Sequence, residues 1–187
     1  MDIYFTDFFR VPPQVLEEYG AFNVSLINDL PLFIDPFLLF NSDKDEYQLL
    51  HDQIIDYLKF LRDKSAAGGI NEGLLKSWFT FSEVKQNWFG YSEAGNSGSG
   101  LGPKFARALN RNLNLFFIDF GHEHVTQGSH LEKLTLVESK VGRDNISDFS
   151  TNLIKGYLLD YTQDFARRSS PEVSVIFSKP NPSSTAP

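Results

Sequence analysis

Five large side chains recur at four-residue intervals late in the chain: Phe149, Leu153, Tyr157, Tyr161 and Phe165. That interval sets residues along one flank of an α-helix. The spacing therefore predicts a helix of about twenty residues with a buried stripe. Arg167 and Arg168 suit its C-terminal end, where the backbone dipole is negative. Ser147 or Asp148 is placed to cap its start, with a side-chain oxygen on a free backbone N–H.

A second helix opens near Ser42 or Asp43. Tyr47, Leu50, Ile54, Ile55, Leu58 and Leu61 give it an apolar stripe, and Gly68-Gly69 end it. Asn71 caps a short helix carrying Leu74, Leu75 and Trp78. Pro103 suits the first turn of another, with Phe105, Leu109 and Leu113 on one side. Val11-Pro12-Pro13 leads into a short helix that Gly20 stops.

Other stretches read as extended. Residues 22–40 are rich in Phe, Leu and Ile and are broken by Pro31 and Pro36, which suggests buried strands joined by turns. Alternation over 134–137 and the run 172–178 suggest two more strands. The expected fold is mixed α+β, with helices packed on a small sheet. One globular domain would span residues 1–178, followed by a disordered Pro/Ser-rich tail at 179–187.

Composition narrows the chemistry. The 187 residues include 18 Phe, one Met and no Cys. Disulfides, thiolate metal sites and cysteine nucleophiles are thereby excluded. No apolar run reaches the roughly 20 residues that a membrane-spanning helix needs. The start, MDIYFTDFFR, has acids where a signal peptide has bases. A cytoplasmic protein with no membrane role is expected. The net charge of −7 is uneven. Residues 1–100 hold seven Lys/Arg against fifteen Asp/Glu (−8), and residues 101–187 hold ten against nine (+1). Any face that meets phosphate should come from the second half.

Chemistry is most concentrated in VESKVGRDNISDFSTN, residues 137–152. On a strand, Glu138 and Lys140 point to one side. Glu-x-Lys at a strand end is the local half of a metal-dependent nuclease site. Carboxylates would hold Mg2+ or Mn2+, which activates water, and the lysine would steady charge developing on phosphate. A metal set of Asp119, Glu138 and Asp144 follows, with Asp148 as a further catalytic candidate and Asp35 as an outlying one. The alternative use of Asp148 is as the helix cap. His122, His124 and His130 could ligate Zn2+ with Asp119, although Gly121 and Gly128 frame them as a polar turn. The glycine-rich stretch 92–102 precedes Pro103-Lys104 and lacks the Ser/Thr of a phosphate-binding loop, so it reads as a loop or a lid.

The segment GRDNISDFSTNLIKGYLLDYTQ (142–163) resembles one found in uncharacterised bacterial proteins, some of them linked to phage defence. Gly142, Asp144, Ile146, Ser147, Asp148, Thr151, Asn152, Ile154, Tyr161, Thr162 and Gln163 carry the likeness, and LPLFIDPFLLF (30–40) shares it. The likeness fixes Ser147-Asp148 rather than Glu138 and Lys140, which moves weight toward Asp144 and Asp148. It implies a defence setting and no particular activity. Two functions are therefore expected. One is a metal-dependent phosphodiesterase acting on nucleic acid. The other is a non-catalytic module that binds a partner protein.

Overall fold

Asp35 and Pro36 start a helix where the sequence suggested a strand. In the computed structural model, Asp35 has extended backbone and its carboxylate accepts from the Phe37 N–H at 2.9 Å. Pro36 fills the first helical position, which needs no N–H. The product is α3 (Pro36–Phe40). The structure describes residues 2–28, 30, 32–82, 84, 101–116 and 143–169, with the backbone alone at 114–116 and 143.

The other helices are α1 (Phe5–Phe9), α2 (Pro13–Tyr19), α4 (Asp45–Ala67), α5 (Glu72–Phe79), α6 (Pro103–Phe116), α7 (Arg143–Leu153) and α8 (Lys155–Ser169). Among the described residues there is no sheet. Two isolated antiparallel bridges, Tyr4–Ser25 and Phe81–Leu101, are the extended pairings. Helices packed on a sheet are therefore replaced by helices packed on helices. Within 22–40, apolar content suggested strands, but local capping decided otherwise at α3. The expected strands at 134–137 and 172–178, and the tail at 179–187, lie outside the described residues.

The chain divides into two compact units. Unit 1 combines Met1–Leu32, Gln86–Asn96 and Gly156–Pro187. Unit 2 combines Phe33–Lys85 and Ser97–Lys155.

In unit 1, Val11, Leu16 and Phe165 are buried, and Phe5, Phe9, Val15, Tyr19 and Ala21 pack on them. Ring centroids lie 5.2 Å apart for Tyr19–Phe165 and 6.0 Å for Phe5–Phe165. Tyr19 and Tyr161 clasp each other. The Tyr19 hydroxyl donates to the Tyr161 carbonyl at 2.8 Å, and the Tyr161 hydroxyl donates to the Tyr19 carbonyl at 3.3 Å. Gly20 ends α2 at φ +79°, a left-handed conformation that only glycine adopts cheaply.

Unit 2 is built on α4. Leu50, Ile54, Ile55, Leu58 and Leu61 are buried along one stripe, as their spacing predicts. Gly68 and Gly69, at φ +72° and +76°, stop the helix. Helices α3, α6 and α7 pack on α4, and α5 packs on α6. Asn71 caps α5 as expected, accepting from the Leu74 N–H at 2.9 Å. Pro103 opens α6, whose Phe105, Leu109 and Leu113 are buried. Phe149 of α7 is fully buried, with its ring 4.4 Å from that of Phe81.

The expected single helix from 147 or 148 to 168 is two helices that meet at Ile154. Its start lies earlier, at Arg143, so neither Ser147 nor Asp148 is the cap. The stripe does not keep to one face of a helix. At 3.6 residues per turn, each four-residue step drifts by about 40° around the helix, or some 160° from Phe149 to Phe165. One straight helix would aim those two rings almost oppositely. Here Phe149 belongs to the core of unit 2 and Phe165 to that of unit 1.

Candidate functional site

Helix α7 carries most of the residues singled out at 142–152, and its hydroxyls and amides are committed to structure. Ser147 is buried, and its Oγ accepts from the Ile34 N–H at 2.9 Å. That bond fixes the segment entering α3. Ser150 is fully buried and returns its hydroxyl to the Ile146 carbonyl at 2.8 Å, which lets a polar residue sit inside a helix. Asn152 donates to the Ser82 carbonyl at 2.7 Å and to the Asp148 carbonyl at 2.8 Å. Thr151 and Ile154 are buried. In unit 1, Thr162 bonds back to Leu158, and Gln163 accepts from Arg167.

Asp144 is exposed in the first turn of α7, where a carboxylate complements the positive end of the helix. Asp148 lies one turn further on and is half-buried. Asp35 is the α3 cap described above. Asp119, Glu138, Lys140, His122, His124 and His130 lie outside the described residues, as does the glycine-rich stretch up to residue 100. Leu101, at its end, is held by paired backbone bonds to Phe81 of 2.8 and 3.2 Å. Among the described residues, no three His, Asp or Glu side chains gather in a way that could hold a metal. No described helix is long and apolar enough to cross a membrane.

A different feature stands out on the hairpin formed by α3 and the first turns of α4. Phe33, Phe37, Leu38 and Leu49 expose 41%, 47%, 67% and 61% of their surface. With ~200 Å2 for each side chain, they leave on the order of 400 Å2 of apolar surface in contact with water. That approaches the size at which an exposed apolar patch marks an interaction site. The sequence held the signal. PFLLF is apolar all round, and a five-residue helix cannot bury every side. Leu49 is out of phase with the α4 stripe.

The hairpin is also acidic. Residues 33–56 contain six Asp/Glu and one Lys. On the helical lattice Leu49 neighbours Asp45, Glu46, Asp52 and Gln53. The underside is tight. His51 is buried, its ring 5.1 Å from that of Phe40. Burial holds its pKa below the usual histidine value, although the Asp52 carboxylate, 3.7 Å away, pulls the other way.

Residues 10–181 match the family model described as a domain of unknown function, DUF8370. No curated protein and no solved structure matches the chain.

Proposed function

The chain belongs to the DUF8370 family, and within that family we propose that it acts as a non-catalytic, cytoplasmic interaction module. Its partner is a protein, and the α3–α4 hairpin is the docking face. One observation carries the proposal: Phe37, Leu38 and Leu49 are exposed beside a tightly packed core. The resemblance over 142–163 adds the setting, a bacterial antiviral defence system. That segment's own polar side chains serve the fold, because Ser147, Ser150 and Asn152 are spent on internal hydrogen bonds.

The test is site-specific photo-crosslinking in the native host. p-Benzoylphenylalanine in place of Phe37 should trap one discrete protein, and Leu49→Asp in the same chain should remove the adduct. Adducts that form equally from exposed Asp160 of α8, or none from position 37, would refute the docking face.

A second proposal is a metal-dependent phosphodiesterase, with Mg2+ or Mn2+ held by Asp119, Glu138 and Asp144. It is favoured by Asp144 and Asp148 standing one helical turn apart on α7, with Asp144 exposed. Incubation with DNA and RNA plus either metal, beside Glu138→Ala and Asp144→Ala, decides it. Absence of cleavage, or cleavage that both variants retain, rejects it.

A further inference from the structure

The charge around the exposed side chains narrows the partner. Asp43, Asp45 and Glu46 are exposed, and no described cation lies within ion-pair distance of them. Asp52 is also exposed, and its nearest described charge partner is the buried ring of His51, 3.7 Å away. Asp56 is the exception, with Lys59 Nζ 3.1 Å away. The hairpin's one cation, Lys44, is turned onto the Tyr47 ring at 4.8 Å. Asp45 and Glu46 do complement the positive end of α4. Asp43 and Asp52 lie outside that first turn, and capping explains no exposed leucine.

Exposed apolar side chains on a hairpin that also exposes Asp43, Asp45, Glu46 and Asp52 decide between classes of partner. A nucleic acid or an anionic membrane would be repelled by this face. A neutral apolar surface would leave the carboxylates desolvated without compensation. A segment with one apolar flank and Lys/Arg beside it satisfies both features, as when an amphipathic helix lies on an exposed apolar face. Resting on the interaction-module proposal, we infer that the hairpin docks a basic amphipathic helix of a partner protein. Its apolar flank covers Phe37, Leu38 and Leu49, and its cations meet Asp43, Asp45, Glu46 and Asp52.

Three labelled peptides that share one leucine flank, with Lys, Gln or Glu on the other positions, provide the test against the full chain by fluorescence anisotropy. The Lys peptide should bind at least about tenfold more tightly than the Gln peptide at low salt, and lose about tenfold on moving from about 50 to about 300 mM NaCl. Asp45→Lys/Glu46→Lys should abolish the preference, and Leu38→Asp/Leu49→Asp should abolish binding. Glu17→Lys/Glu18→Lys, an equal charge change on α2, should leave binding intact. Circular dichroism of each variant must match the parent chain.

Equal binding of all three peptides, lost in Leu38→Asp/Leu49→Asp, overturns the basic class and leaves the docking face standing. Lys-peptide binding that survives Leu38→Asp/Leu49→Asp, or disappears with the α2 change, overturns the inference as general charge attraction. No binding by any peptide, with the adduct from position 37 intact, overturns the partner class alone. No binding and no adduct remove both.

Discussion

Replacing Ser147 with alanine removes one oxygen, and the structure says which group suffers. The Ile34 N–H donates to that oxygen at 2.9 Å, and Ser147 is only 6% exposed. Alanine leaves the Ile34 amide without the acceptor it has here. An unpaired buried donor costs about 1–3 kcal/mol. Ile34 is half-buried, so water can reach part of the gap, and about 1–2 kcal/mol is expected. For a chain of this size that lowers Tm by roughly 2–8 °C. Ser77→Ala, at an exposed position on α5, should stay within about 0.5 kcal/mol. Hydrogen exchange resolved to single amides gives the sharper readout. Ser147→Ala should speed exchange at Ile34 and leave the first amides of α7 unchanged. If Ser147 instead capped a helix, as its position in the sequence suggests, protection would fall at Phe149 and Ser150 and stay intact at Ile34. That pattern, or an unchanged Tm with unchanged exchange at Ile34, refutes the assignment.

Three further outcomes follow from the packing. Because burial lowers the pKa of His51, the folded state binds its proton less readily than the unfolded chain does. Its contribution is complete above the unfolded value near 6.5 and is lost as pH falls from there through the folded value, by at most about 1.4 kcal/mol per pH unit. Urea melts at neutral and mildly acidic pH should show this loss, and His51→Leu should flatten it; an unchanged slope would contradict it. Phe149→Ala, at a fully buried ring against Phe81, should cost about 3–5 kcal/mol, whereas Phe22→Ala, at a ring 66% exposed, should cost under about 0.5 kcal/mol. Equal denaturation midpoints for the two would be inconsistent with the packing of α7. Gly20→Ala should cost about 1–2 kcal/mol from backbone conformation alone, since a β-carbon there would stand 4.0 Å from the Tyr161 hydroxyl with room to spare; a thermal melt matching the parent chain would show that the turn relaxes.

The local grammar of the helices was readable. Asn71, Pro103, Gly20 and Gly68-Gly69 mark their ends because caps and breakers act within a few residues. The α4 stripe was readable because one periodicity serves one core. Two features were not. The 22–40 stretch was apolar enough for strands, and only the Asp35-Pro36 start, a two-residue signal, turns its end into α3. The Phe149–Phe165 stripe looked continuous, since four-residue spacing does not reveal that successive side chains serve different cores. The candidate site divided in the same way. Sequence drew attention to polar residues at 142–152, yet buried hydroxyls satisfying a distant backbone look like functional ones until their partners are seen. The exposed leucines are marked in the sequence only indirectly, Leu38 by a helix too short to bury every side and Leu49 by its phase on α4.

The bond between Ser147 and Ile34 has a consequence for the order in which the chain assembles. It joins positions 113 residues apart and closes unit 2 on itself. Unit 1 needs segments from both ends of the sequence, and in an open chain bringing such ends together costs an entropy that grows with the logarithm of the intervening length, roughly 4 kcal/mol for a span of this size. Once unit 2 has closed, only Phe33 separates Ile34 from Leu32, and eight residues separate Ser147 from Gly156. Tyr19 then finds Tyr161 across a short tether rather than a long one. On a ribosome, which releases the N-terminal segment first, α1 and α2 must therefore wait, without Tyr161 and Phe165, until α8 has emerged.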